Sequence, residues 1–102
     1  MRMWIINDIM VQAQRVFNFD ELVQPGQFMF YIREDAEGHA GILFCCPCGC
    51  GVVSGVPFSG AVKWSWNGSE DKPTLTPSIL KNTPNICGGW HGYLTNGEFI
   101  TC

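Results

Sequence analysis

The sequence predicts a mainly β domain, a small antiparallel sandwich or partly open barrel of hairpins carrying two metal-binding loops. Three observations lead there. Gln27 to Arg33 reads Gln-Phe-Met-Phe-Tyr-Ile-Arg, aromatic and β-branched throughout, with Phe28, Phe30 and Ile32 on one face. Asn96-Gly97 lies between two apolar runs and is the strongest two-residue signal for a primed hairpin turn. Cys45, Cys46, Cys48 and Cys50 place four of the six cysteines within six positions, in a stretch too tight for pairwise disulfides and suited to a metal.

The first 26 residues carry short apolar patches and little periodicity. Phe17 and Phe19 alternate with Asn18, which favours extended backbone, and Asp20 can cap a single helical turn through Leu22 and Val23. Pro25-Gly26 ends that turn as a type II bend, with proline setting φ and glycine accepting the positive φ that follows. The strand from Gln27 then pairs with Ile42-Leu43-Phe44 as an antiparallel hairpin. His39 falls in its connection and reads as a solvent-facing loop residue.

Phe-Cys-Cys-Pro-Cys-Gly-Cys-Gly, Phe44 to Gly51, is the first metal loop. Glycines after Cys48 and Cys50 permit a tight turn that aims N–H groups at sulfur, and Pro47 stiffens it. Val52-Val53 starts a return strand, and Pro57 with Gly60 marks a loop. From Ala61 to Asn67 the chain alternates, with Val62, Trp64 and Trp66 on a core face. Glu70-Asp71-Lys72 is a solvated loop. Pro73 and Pro77 push Pro73 to Ile79 into extended or edge-like conformation.

Cys-Gly-Gly-Trp-His-Gly then supplies the second metal loop through Cys87 and His91. Taking Asn96 and Gly97 as the turn sets a register in which Thr95 faces Glu98, Leu94 faces Phe99, Tyr93 faces Ile100, Gly92 faces Thr101 and His91 faces Cys102. Cys102 is thus a further candidate ligand or a thiol beside one.

A tetrahedral zinc site takes four nitrogen or sulfur ligands. Cys46, Cys50, Cys87 and His91 rank first, and Cys48 can replace either loop cysteine. Cys45 continues an apolar strand and reads as a small buried hydrophobe. Zinc is the expected ion, with iron or an iron–sulfur cluster as the alternative. A closed four-ligand site leaves no place for a catalytic water. Neither Gly-x-Ser-x-Gly nor His-Glu-x-x-His occurs, and no acid–base pair stands out in the sequence.

Composition bounds the rest. One domain is expected over residues 1–102, with the metal-binding portion at about 42–102. A net charge of -3 and six scattered basic residues provide no stripe for a phosphate backbone, so no general nucleic-acid binding is expected. No apolar run is long enough to cross a bilayer and no signal-peptide plan opens the chain, which makes a cytoplasmic protein the default expectation.

Cys46-Pro47-Cys48-Gly49-Cys50-Gly51, the strand around Trp64, Thr74-Leu75-Thr76-Pro77-Ser78-Ile79, and Cys87 to Gly97 with its His-Gly-Tyr-Leu-x-Asn-Gly resemble a family of small phage and bacterial domains of unknown function. Its members are often loosely labelled ammonia monooxygenase, and some lie beside ubiquitin-like conjugation genes. The resemblance covers about residues 42–102 and implies a metal-binding β domain with Cys46, Cys48, Cys50, Cys87 and His91 as ligands. The oxygenase label finds no support in a chain with two histidines. The two-loop layout also resembles Rieske ferredoxins, but a first loop offering only thiols cannot supply the two-histidine iron of such a cluster. The function expected from the sequence is a zinc-stabilised, non-enzymatic module, phage or prophage encoded, that binds a partner protein. The alternative is a small iron-containing electron carrier, Rieske-like or rubredoxin-like.

Overall fold

A computed structural model describes residues 10–34, 37–81 and 87–101. Among them the strands run β1 (Met10–Gln12), β2 (Gln14–Arg15), β3 (Gln27–Tyr31), β4 (Gly41–Cys45), β5 (Val53–Pro57), β6 (Ser65–Trp66), β7 (Leu75–Lys81), β8 (Trp90–Thr95) and β9 (Glu98–Thr101). They form a five-stranded sheet in the order β1-β9-β8-β7-β6 and a four-stranded sheet in the order β2-β3-β4-β5. All neighbours are antiparallel except β2 and β3. The mainly β class expected from the sequence is the one observed, and of the sandwich and the partly open barrel it is the two-sheet arrangement that forms. No helix among the described residues is long and apolar enough to cross a membrane.

One core lies between the sheets. Phe28, Phe30, Ile42, Phe44 and Val56 from the four-stranded sheet pack with Leu75, Ile79, Trp90, Leu94 and Phe99 from the five-stranded one. Phe44 bridges them, its ring 5.4 Å from that of Phe99 and 6.5 Å from that of Trp90. Burying side chains of this size contributes about 1.5–3 kcal/mol each, so the sheet-to-sheet contact supports much of the fold.

The last hairpin has the register derived from its turn. Gly92 faces Thr101, Tyr93 faces Ile100, Leu94 faces Phe99 and Thr95 faces Glu98. Asn96 and Gly97 both have positive φ, 51° and 79°, as a type I′ turn requires. The expected His91–Cys102 pair lies partly outside the described residues. Gly92 is sterically obligatory: a Cβ there would collide with the Ile100 carbonyl and lie 2.6 Å from the Trp90 ring folded across it.

The β3–β4 hairpin also forms, with Phe28 opposite Phe44 and Phe30 opposite Ile42. Gln24 to Gln27 makes the expected bend, closed by Gln27 N–H donating to the Gln24 carbonyl at 3.2 Å with Gly26 at φ 87°.

Several expectations change. The single helical turn is a 3-10 turn at Phe19–Glu21 that starts from Asn18, not Asp20, because the Glu21 carboxylate accepts from the Phe17 and Asn18 N–H groups. Ile32 is exposed because β3 ends one residue earlier. Val62 is exposed too: it sits in a bend after Gly60, and the strand expected over 61–67 is only Ser65–Trp66. Pro73 to Ile79 is extended, as expected, and from Leu75 it runs within β7, which β6 covers only at Leu75 and Thr76. His39 is not simply solvated. Its ring stacks on Phe30 at 4.2 Å and its Nε2 lies 3.0 Å from Glu70 Oε2.

Candidate metal centre and an adjacent serine–histidine pair

β4 ends at Cys45 and β5 begins at Val53, so the first cysteine loop is the connection of a hairpin. The Val52 carbonyl accepts from Cys46 N–H at 2.9 Å and closes the base of that loop. The Cys46 carbonyl then accepts from Gly49 N–H at 3.1 Å, and Gly49 and Gly51 take φ of 91° and 87°. Those values are accessible to glycine and strained for other residues, which explains the Cys-Gly-Cys-Gly spelling. Cys87 arrives from the other sheet, three residues before β8.

Together these loops bring Cys46, Cys48, Cys50 and Cys87 into one group whose sulfurs all lie within 4.8 Å of one another. Cys46 and Cys48 sulfurs are 3.3 Å apart, Cys48 and Cys87 3.5 Å, and Cys46 and Cys87 3.8 Å. A disulfide would need about 2.05 Å. Four thiolates around zinc at about 2.3 Å stand about 3.8 Å apart by tetrahedral geometry, so the spacing fits a four-sulfur ion site.

Backbone donors are in place for thiolates. Cys48 N–H donates to the Cys46 sulfur, Cys50 N–H to that of Cys48, and Gly89 N–H to that of Cys87. The Gly89 donor holds Cys87 down at about 7. Burial pushes Cys46 far above its ordinary range and raises Cys48. A bound cation reverses such penalties, because a coordinated thiol is deprotonated outright. The four cysteines can therefore hold a metal ion.

Two expectations about neighbouring residues fare differently. Cys45 is 1% exposed, lies outside the group and faces Val53 across β4–β5, as a small apolar residue would. His91 does not join the sulfurs, and Cys48, ranked behind it, does. The reason is strand alternation. Along β8, Trp90, Gly92 and Leu94 are buried while His91, Tyr93 and Thr95 are exposed, so the imidazole faces away from the core. Cys102 lies outside the described residues.

His91 has a different partner. Its Nε2 is 2.9 Å from Ser78 Oγ. β7 pairs with β8 so that Leu80 faces His91 and Ile79 faces Gly92, which puts Ser78 two residues along on the same face as the imidazole. The β7–β8 register shifts between Leu75 and Ile79, a bulge-like irregularity of the kind that re-aims side chains beside functional sites. Ser78 is half-buried and its carbonyl accepts from Trp64 Nε1 at 3.2 Å. The hydroxyl is thus fixed by its strand on one side and meets an exposed imidazole on the other.

Sequence reasoning missed this pair. The one signal in the residues is Thr76-Pro77-Ser78, a hydroxyl inside an otherwise extended stretch, and its link to His91 depends on the pairing of β7 with β8. Residues 15–102 match the family described as bacterial ubiquitination-like system serine protease, BubE. The chain belongs to this family. No curated protein and no solved structure matches it. The BubE match begins well before the cysteine loop and takes in β3 to β9, the four thiols, Ser78 and His91.

Proposed function

We propose that the chain is a serine peptidase acting on a ubiquitin-like polypeptide, with Ser78 as nucleophile, His91 as general base and the four cysteines as a closed structural zinc site. The observation that carries this reading is the 2.9 Å contact between Ser78 Oγ and His91 Nε2 on an exposed sheet face. A serine hydroxyl is a weak nucleophile at neutral pH and needs a base within hydrogen-bond reach. Neutral His91 accepts the hydroxyl proton as Oγ attacks the scissile carbonyl carbon. The imidazolium then returns that proton to the leaving amine as the C–N bond breaks, and water hydrolyses the acyl-serine with His91 again as base. The family description names both a serine protease and a ubiquitination-like system, which supports this reading over a non-enzymatic module. The protein partner expected from the sequence is then the substrate itself.

The metal takes no part in that chemistry. Four thiol ligands would close the coordination sphere of a bound ion, as in structural zinc sites and unlike catalytic ones. The residues fit zinc, and they also fit a rubredoxin-like iron; zinc leaves the purified protein colourless, whereas iron–thiolate absorbs visible light and bleaches on reduction.

A fluorophosphonate probe tests the nucleophile on intact, metal-loaded protein. It is expected to label one residue, mapped by mass spectrometry to Ser78, with no label on Ser78→Ala. Labelling of another residue, or none under conditions that label a control peptidase, would remove the assignment.

A further inference from the structure

A groove of about 340 Å³ begins one residue after Ser78 along β7, lined by β5 on one side, by Ile79, Leu80 and Lys81 on the other, and by Trp64 and Phe44. β5 is the outer strand of its sheet. Its residues Val-Ser-Gly-Val carry no charge, and β4 pairs only one side of them. Sheet edges are ordinarily guarded by lysine, proline, a bulge or a covering segment. Within β5 the only such device is Pro57, at the far end of the strand.

The direction of the free groups follows from the ladder. Cys46 N–H donates to the Val52 carbonyl and Phe58 N–H to the Ala40 carbonyl, so the even-numbered residues of β5 bond to β4. Val53 and Gly55 therefore turn their N–H and C=O groups outward, to the groove. Pro57 shares that parity, and its carbonyl is taken by Trp64 N–H at 2.9 Å. On the opposite wall, Ile79 and Lys81 face Gly92 and Trp90 in the ladder with β8, and Leu80 alternates with them to point its main chain away from β8. β6 pairs β7 only at Leu75 and Thr76, leaving that side open at Leu80. The Ser54 hydroxyl, buried and without a hydrogen-bond partner among the described residues, also lines the groove.

From this juxtaposition we infer that the groove is the substrate cleft, taking the peptide as an added strand through main-chain bonds to Val53, Gly55 and Leu80. Trp64 Nε1 bonds to the Ser78 carbonyl at one end of this wall, and Ser78 lies two residues from Leu80 on the same face of β7, so the groove runs up to the residue that carries the hydroxyl. Strand addition reads the extended backbone first and one or two side chains second. Phe44, Ile79 and Trp64 supply an apolar site for one such side chain. The occupant is the peptide on the N-terminal side of the scissile bond, an inference that rests on Ser78 being the nucleophile.

The test compares two probes of Ser78 on the full metal-loaded chain, a small fluorophosphonate and acetyl-Val-Ala-Ala-Ala diphenyl phosphonate. The peptidyl probe is expected to gain a rate advantage that is lost when its peptide nitrogens are methylated. Gly55→Pro removes one outward N–H at a place where an edge strand tolerates proline, and it should cut the ratio of the two labelling rates by roughly tenfold, the equivalent of one good contact. Circular dichroism checks that the variant folds, and Val53→Pro serves as the second variant. A ratio unchanged in both folded variants overturns the cleft while leaving the nucleophile intact. If neither probe labels Ser78, peptide binding is read instead from the amide signals of Val53, Gly55 and Leu80 in the Ser78→Ala protein. Shifts at those three amides support the cleft without the chemistry, and their absence refutes it. Sedimentation as a dimer that Gly55→Pro disperses would assign the edge to a second copy of this chain and refute it also.

Discussion

The cysteine corner and the Ser78–His91 pair lie in neighbouring parts of one small domain, yet they are built in opposite ways. Three of the four thiols sit within five consecutive residues and are held by turns that glycine permits, so their geometry is set by local chain chemistry. The serine and histidine are 13 residues apart, on different strands, and meet only because β7 and β8 pair in one register with an irregularity between Leu75 and Ile79. One site is written in a motif and the other in a strand pairing. That contrast orders the ways in which each can be broken.

Metal removal should have the largest effect. A structural zinc contributes roughly 10–16 kcal/mol of apparent binding free energy, against about 5–15 kcal/mol for the stability of an ordinary domain. Cys46 is fully buried and Cys87 ties the second sheet to the loop of the first. Chelation, or Cys46→Ser, is therefore expected to unfold the protein, read as loss of the β circular dichroism signal and of bound metal. An unchanged melting curve after complete chelation would show that the apolar core holds the sheets together unaided.

His91→Ala sharpens the comparison, because the two sites predict different losses. If the imidazole serves Ser78 and not the ion, the variant keeps one metal per chain and its stability changes by no more than about 0.5 kcal/mol, as for other exposed positions. Its reaction with a fluorophosphonate should fall by about 10²-fold or more, the scale of general-base assistance. Metal loss with retained reactivity would return His91 to the ligand set expected from its spacing to Cys87.

Much of this is legible in the residues alone, for a physical reason that also explains the gaps. Asn96-Gly97 determines a hairpin by itself, so the β8–β9 register follows to the residue. The knuckle glycines likewise announce a turn that gathers thiols. Ligand choice at the second loop depends on which face of β8 His91 occupies, and alternation settles that only once Trp90 is known to be core. Val62 and Trp64 show the same limit. Their period of two is real, but the bend after Gly60 ends the pattern, leaving Val62 in solvent while Trp64 packs against the core. His39 reads as a plain loop residue in the sequence because its packing on Phe30 depends on how two distant segments meet.

Gly92 links the two regions and should show an intermediate effect. It follows His91 in β8, and its missing side chain leaves room for the Trp90 ring and the Ile100 carbonyl. Gly92→Ala must displace backbone or an indole, and overpacking of this kind costs about 1–3 kcal/mol. The melting temperature is expected to fall with metal stoichiometry retained. Because Trp90 Nε1 donates to Thr101 Oγ1 at 3.0 Å, a tilted indole would also loosen β9. A neutral outcome would mean that Trp90 has another way to pack.

The smallest effect is expected outside both sites, where Glu70 joins Arg15 and His39. Its Oε1 lies 3.0 Å from Arg15 Nη1 and its Oε2 3.0 Å from His39 Nε2. The His39 hydrogen bond, followed by that of Arg15, lowers the Glu70 carboxyl below its ordinary value. A carboxyl whose folded-state value is depressed stabilises the fold above its unfolded value and loses that contribution as pH falls through the folded one. Exposed pairs are screened and weak, so Glu70→Gln should barely alter the melting temperature at neutral pH. The variant should instead show a shallower loss of stability on the acid side of the ordinary carboxylate range, and the effect should shrink with added salt. An equal acid dependence in both proteins would place the carboxylates that govern acid unfolding elsewhere, and would leave the stacking of His39 on Phe30, not its hydrogen bond to Glu70, as what holds that connection to the sheet.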